Sequence, residues 1–328
     1  DQVIMQPFVD FVVRGQGEEA LFELVREIRS GNPQFERIQG LHWKREGGVV
    51  QANPPRKLTY QDDWPDLPYH LVDLEKSIRK TEFGDRVLDF ISSYGCPYEC
   101  GFCAERAFSA RRWKAMSAEK VFRQIKELKE RYDLDGVVFR DNNFFVDKKR
   151  SLRIAELLGS LPRPFAWGQV NGRTNILVKW SEAEWDLLRS SGLKSILIGA
   201  ESGYSESLKL ISKGATVEQT IALADLAEKH GISLWFSLFS GLPWLPDAGP
   251  PSIAYARGKN REDFKATIEL LKRVVKRRSE HRYLYFRFSP YPGTGLLEQA
   301  GKLGFRFPEN LEAWAEYSLD NRNTEFLD

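Results

Sequence analysis

Apolar and polar positions fall into repeating blocks from residue 86 onward. Short apolar runs, rich in β-branched and aromatic residues, occupy 87–92, 136–141, 165–170, 195–200, 233–240 and 283–289. Runs without polar alternation read as parallel strands buried on both faces. Helical spacing fills the intervals. Ser117 opens a helix carrying Val121, Phe122, Ile125 and Leu128 on one face, and Asp147 opens the next. Ser181-x-x-Glu184 and Thr216-x-x-Gln219 are capping boxes, with stops at Gly192 and Gly231. Asn260 opens the last long helix, with Phe264, Ile268, Leu271 and Val275 inward. Six strand–helix units in order predict a parallel α/β sheet with right-handed crossovers. Six strands are too few for the closed eight-stranded barrel. The expected fold is an open six-stranded (β/α) partial TIM barrel over 86–302.

The chain before it has a different pattern. Residues 9–13 read as a strand, followed by a glycine turn and a helix with Leu21, Leu24, Val25 and Ile28 on one face. Residues 38–44 and 49–51 form a hairpin around Glu46-Gly47-Gly48. The first 31 residues thus hold one strand–turn–helix unit, too little to fold alone, and read as the tail of something larger. Residues 52–85, with Pro54, Pro55, Pro65 and Pro68, are a linker stapled down by Trp64, Tyr69 and Leu71. The stretch 303–328 leaves the repeat, and its Phe305, Phe307, Leu311 and Trp314 are expected to dock it on the barrel. The proline-rich loop 244–259 reads as a lid or a tolerated insertion.

Composition narrows the classes. The 328 residues are 42% hydrophobic, enough for a sizeable core. A net charge of +2 points to neither nucleic acid nor a membrane surface. The basic run Lys272, Arg273, Lys276, Arg277 and Arg278 complements a helix C-terminus as a solvated face. No apolar run reaches spanning length, so no membrane span is expected. The chain starts at Asp1 and reads as a piece of a longer protein.

All three cysteines, Cys96, Cys100 and Cys103, lie in one loop after the first strand. Clustered thiolates make a soft-metal site, for zinc, copper(I) or iron–sulfur. A disulfide would leave one thiol over and strain a short loop. Structural zinc usually has four protein ligands, and none of the four histidines is close in sequence. A zinc-stabilised binding module stays as the alternative from another class. Reduced thiols fit a cytoplasmic protein.

The pattern Cys96-x-x-x-Cys100-x-x-Cys103, with Phe102 before the last cysteine, resembles the signature of the radical S-adenosylmethionine (radical SAM) superfamily. The resemblance implies a 4Fe–4S cluster on the three cysteines and SAM chelated to the fourth iron. It implies reductive cleavage to a 5′-deoxyadenosyl radical, with a flavodoxin or ferredoxin as electron donor and a small-molecule substrate. Residues 9–18 resemble the end of the cobalamin-binding domain that precedes many of these enzymes, which implies that 1–51 is a remnant of that Rossmann-like domain plus the hairpin, and Ser289-Pro290-Tyr291-Pro292-Gly293-Thr294 resembles a segment common in that branch. Methyl transfer or C–C and ring chemistry would follow. The Asp-x-His-x-x-Gly cobalamin motif is not in the chain, so cobalamin is expected in the intact protein only, and a cobalamin-independent enzyme is the alternative.

Ligands of parallel β/α folds gather at the carboxyl ends of the strands. There stand Asp141 and Asn142, which either accept from the SAM ammonium or make a turn. Gln169 and Arg173 end the third strand, and Arg173 either forks onto the SAM carboxylate or makes a salt bridge. Glu201, in an "ESG" segment like that of several radical SAM families, either holds the ribose or joins a buried ion pair. Ser237 and Gly241 leave room for adenine, and Tyr291 faces substrate or packs.

Overall fold

The computed structural model describes residues 2–59, 61–162, 165–275 and 280–316. Lys276, Arg277 and Arg278 of the basic run, and the last part of the tail, lie outside them. By its contacts the chain divides into two units. Among the described residues, no helix is long and apolar enough to cross a membrane.

The larger unit holds the six strands in sequence order. Gly84–Phe90 pairs in parallel with Gly136–Phe139, and that strand with Ala166–Gly168. Val170–Gly172 pairs in parallel with Ser195–Glu201, then Ser233–Ser240, then Arg282–Arg287. The expected third strand is therefore divided, at Gln169. Its φ of +49° is left-handed and turns the ladder from one four-stranded sheet to the other. A bridge from Trp167 to Leu193 spans the seam. Among the described residues, no ladder joins the first strand to the sixth.

One face of the strands carries Leu88, Val137, Ile196, Ile198, Leu234, Phe236 and Leu238. Helices Ala118–Tyr132, Lys148–Gly159, Glu182–Ser190, Val217–Lys229 and Ile253–Val274 cover it with Ile125, Ile154, Leu188, Ala224 and Leu271 among others. Each fully buried aliphatic side chain there contributes about 1.5–3 kcal/mol. The caps form where the sequence places them: Ser117 accepts from the Lys120 N–H, Asp147 from the Arg150 N–H, and both capping boxes close. The last helix does not open at Asn260. Ser252 caps it at the Tyr255 N–H, so it starts at Ile253 and absorbs half the expected loop. Asn260 instead bonds the Leu242 backbone through both amide atoms, at 3.0 and 3.2 Å.

The linker is held by polar contacts more than by its aromatics. Lys120 Nζ donates to the Trp64 carbonyl at 2.6 Å, and Asp66 accepts from Arg123 and Gln124. Tyr69 packs on the core, whereas Leu71 is 73% exposed.

The smaller unit is a three-stranded antiparallel sheet, Phe11–Val13, Leu41–Lys44 and Val50–Ala52, with helix Glu18–Arg29. Ala20 and Leu24 pack with Ile38, Leu41, Phe35 and Trp43. The expected apolar stripe is only partly used: Leu21, Val25 and Ile28 stay exposed. The small Ala20 lets the helix seat on the Ala20–Leu24 row, and Arg56 fixes that setting by pairing with Glu19 and Glu23. Residues 306–316 group with this unit, where Gln2 Nε2 donates to the Glu309 carbonyl at 2.8 Å and Phe307 packs on Trp314. Phe305 stays with the larger unit and is buried there.

Candidate active site

The cysteine loop leaves the carboxyl end of the first strand through the short pair Ser93–Gly95 and Trp113–Ala115. All three thiols are free. Cys100 is buried, and Cys96 and Cys103 are half-buried. Burial pushes the Cys96 and Cys103 thiols up, so a metal must displace their protons to bind. The Cys103 N–H donates to the Cys100 carbonyl at 3.1 Å. Gly101 anchors the loop twice: its N–H donates to the Ile211 carbonyl at 2.8 Å, and its carbonyl accepts from the Leu296 N–H at 3.1 Å. Phe102 packs against Phe239 of the fifth strand, with centroids 4.8 Å apart.

Arg173 and Glu201 both reach this loop region. Arg173 Nη1 donates to Cys100 Sγ at 3.1 Å, Nη2 to the Lys213 carbonyl, and Nε to Asn175 Oδ1 at 3.3 Å. The Tyr98 ring lies over its guanidinium, 3.9 Å from the centroid. Glu201 takes the second of its expected roles: Lys213 Nζ donates to its Oε1 at 2.5 Å, with both side chains 6% exposed. The Lys213 ammonium also sits 5.9 Å from the Phe102 ring. Gly199 makes room for this pair, because a Cβ there would collide with Glu201 Oε1 and Lys213 Nζ.

The remaining expected contacts divide. Ser237 is half-buried and lies in register with Gly199 and Leu284. Gly241 follows the fifth strand at φ +88°, and Asn142 and Tyr291 are exposed. Asp141 is enclosed. Its Oδ1 accepts from Ser92 Oγ at 2.8 Å and from Ser93 Oγ, and its Oδ2 from the Ser92 N–H at 3.1 Å. Burial pushes its carboxyl up, against those bonds and Arg150. With both oxygens engaged and no exposed surface, Asp141 closes the junction between strand and loop and does not present itself to an ammonium. Gln169 is a second correction. Its left-handed backbone sends the amide to Glu82, 2.9 Å away and ahead of the first strand, so it faces the amino ends of the strands.

Lys213, Tyr98 and Asn175 are site residues that sequence reasoning missed. One signal was available: the buried ion pair open to Glu201 needs a cation from elsewhere in the chain.

Among the described residues, no three His, Cys, Asp or Glu side chains converge on one ion position. A cluster gives each thiolate its own iron. Three free thiols on one loop, one of them accepting an N–H from a buried guanidinium, suit a cluster.

The profile of the Radical SAM superfamily matches residues 90–244. An uncharacterized methyltransferase of Pyrococcus horikoshii is 30% identical over 90% of this chain and 58% of its own length. The anaerobic magnesium-protoporphyrin IX monomethyl ester cyclase of Rubrivivax gelatinosus is 25% identical over 69% of this chain and 40% of its own. The chain thus spans well under two thirds of these curated relatives. Among solved structures, the radical SAM methyltransferase TsrM from Kitasatospora setae, with cobalamin and a [4Fe–4S] cluster bound, has the same fold: TM-score 0.64, 19% identity, 92% of this chain and 55% of that one. The cobalamin-dependent radical enzyme OxsB, with aqua-cobalamin and SAM bound, matches at TM-score 0.64 and 18% identity, over 90% of this chain and 39% of that one. The three-cysteine loop, the profile and the relatives agree, and the chain belongs to the radical SAM superfamily.

Proposed function

We propose that the chain is the radical-generating part of an enzyme that performs methyl transfer or C–C and ring chemistry on a small molecule. The carrying observation is the free three-thiol loop at the carboxyl end of the first of six parallel strands, an arrangement that we read as the open partial barrel of its superfamily. Cys96, Cys100 and Cys103 would hold a 4Fe–4S cluster, which with SAM bound supplies a 5′-deoxyadenosyl radical when one electron arrives. The protein's own part is to position and to shield. Phe102 and Phe239 wall the loop on one side. Asn142, Ser237 and Gly241 remain candidates for SAM contact, and the Glu201–Lys213 pair lies against Gly199, the register partner of Ser237. Cobalamin is proposed for the whole protein, on the likeness to the two solved structures. A flavodoxin or ferredoxin is proposed as donor.

Anaerobic reconstitution with iron and sulfide, followed by dithionite and SAM, tests this. The expected results are about four irons per chain, 5′-deoxyadenosine formation, and loss of both in Cys96→Ser, Cys100→Ser and Cys103→Ser. One zinc per chain without labile sulfide would sink the proposal in favour of a zinc-stabilised module.

A further inference from the structure

We propose that Arg173 sets the electron affinity of the cysteine loop, acting on the Cys100 sulfur and not on the carboxylate of SAM. The inference rests on the cluster reading above. Arg173 is 7% exposed, and a buried guanidinium is costly without an anion. Its partners are the Cys100 sulfur, the Lys213 carbonyl and the Asn175 side-chain oxygen. Among the described residues, no carboxylate pairs with it. The nearby acid, Glu201, is already neutralised by Lys213. The anion that Arg173 lacks is therefore the Cys100 thiolate, which metal binding creates.

The guanidinium is also fixed before any ligand arrives. Tyr98 covers one face, and the Lys213 carbonyl and Asn175 hold two edges. Two of its four neighbours, Tyr98 and Cys100, belong to the loop itself. A fixed N–H and a full positive charge at a ligating sulfur favour the state with one more electron, because hydrogen bonds to sulfur and local charge set cluster potentials. A guanidinium acts by its fixed charge and its N–H donors, so the effect is electrostatic and moves no proton.

The test uses Arg173→Met, Arg173→Lys and Tyr98→Leu beside the unmodified chain, all reconstituted anaerobically. Iron and sulfide contents check the cluster reading separately: an unmodified chain that takes up no cluster overturns that reading and, with it, this inference. An EPR-monitored redox titration then reads the reduced-to-oxidised ratio at a fixed ambient potential. The expected result is a tenfold fall in Arg173→Met, a downward shift of about 59 mV for a one-electron couple. Arg173→Lys and Tyr98→Leu should fall less, the first because it keeps the charge and the second because it only loosens the guanidinium. An unchanged potential in Arg173→Met at full cluster content overturns the proposal. An unchanged potential with weakened SAM binding does so too, and returns Arg173 to the SAM carboxylate. If Arg173→Met takes up no iron, the other two decide, and unchanged potentials in both overturn it.

Discussion

The second and fourth parallel strands both run out into a buried acid, Asp141 and Glu201, and the two ends are stabilised by different physics. Asp141 is enclosed by two serine hydroxyls and a backbone N–H, with Arg150 as the nearby cation that counters the upward push of burial on its carboxyl. Glu201 has a lysine 2.5 Å away and little else. Its backbone, at φ +64°, lies in a region that non-glycine residues seldom adopt. The turn after it packs so closely that a Cβ on Gly203 would enter the backbone of Ala266. The first end is a closed structural joint. The second is a charged, strained one whose lysine lies 5.9 Å from the Phe102 ring of the cysteine loop. Strain of this kind gathers at functional sites, so position at a strand's carboxyl edge does not by itself identify a ligand-binding acid.

The largest expected effect probes the charged end. Lys213→Met leaves Glu201 buried and uncompensated, and should cost about 3–5 kcal/mol in urea unfolding. Replacing both, as Lys213→Met with Glu201→Leu, should recover most of that stability. Recovery of stability without recovery of SAM cleavage would mean that the pair serves the reaction and not only the fold. If the double variant is as unstable as the single one, the ion pair is not what holds this end.

This contrast also marks what the sequence can carry. The six strands and four of the helix starts were readable because periodicity and caps are local, and so was the cysteine loop. The electrostatic state of an acid is not local. Glu201 meets Lys213 only because the chain after the fourth strand folds back, with left-handed Ser212 and Gly214 on either side of the lysine. Asp141 meets Ser92 and Ser93 across 49 and 48 residues of sequence. The start of the last helix was missed for a different reason. Asn260 has the chemistry of a cap, yet its amide is spent on Leu242, and the true cap is Ser252.

The next effect probes the enclosed end. Asp141→Ala strips partners from two hydroxyls and one N–H and should cost about 1–3 kcal/mol. Asp141→Asn gives a sign. Burial raises the folded pKa of Asp141 above its unfolded value of about 3.9. Such a group contributes stability below the unfolded value, and that contribution is lost as pH rises through the folded one. Relative to Asp141→Asn, which does not titrate, the unmodified chain should therefore lose stability as pH rises from about 4, then level off. Urea midpoints at several pH values measure this. A difference that grows in favour of the unmodified chain as pH rises would show the hydroxyl bonds and Arg150 outweighing burial.

The smallest effect lies at the seam between the two ends. Gln169 divides the third strand, and its side chain points to Glu82, away from the cysteines. Gln169→Gly relieves a left-handed residue but frees the unfolded chain, and the exposed bond to Glu82 adds little. The net change should stay within about 0.5 kcal/mol. Gln169→Val puts a branched Cβ at φ +49° and should cost about 1–2 kcal/mol. Neither should alter iron content or 5′-deoxyadenosine yield, because the seam sets the direction of the strands and not the contacts of the loop. If Gln169→Gly keeps its stability and loses SAM cleavage, the amide reaches the cofactor in the working enzyme. The seam would then belong to the site, and the two acidic ends would be coupled through it.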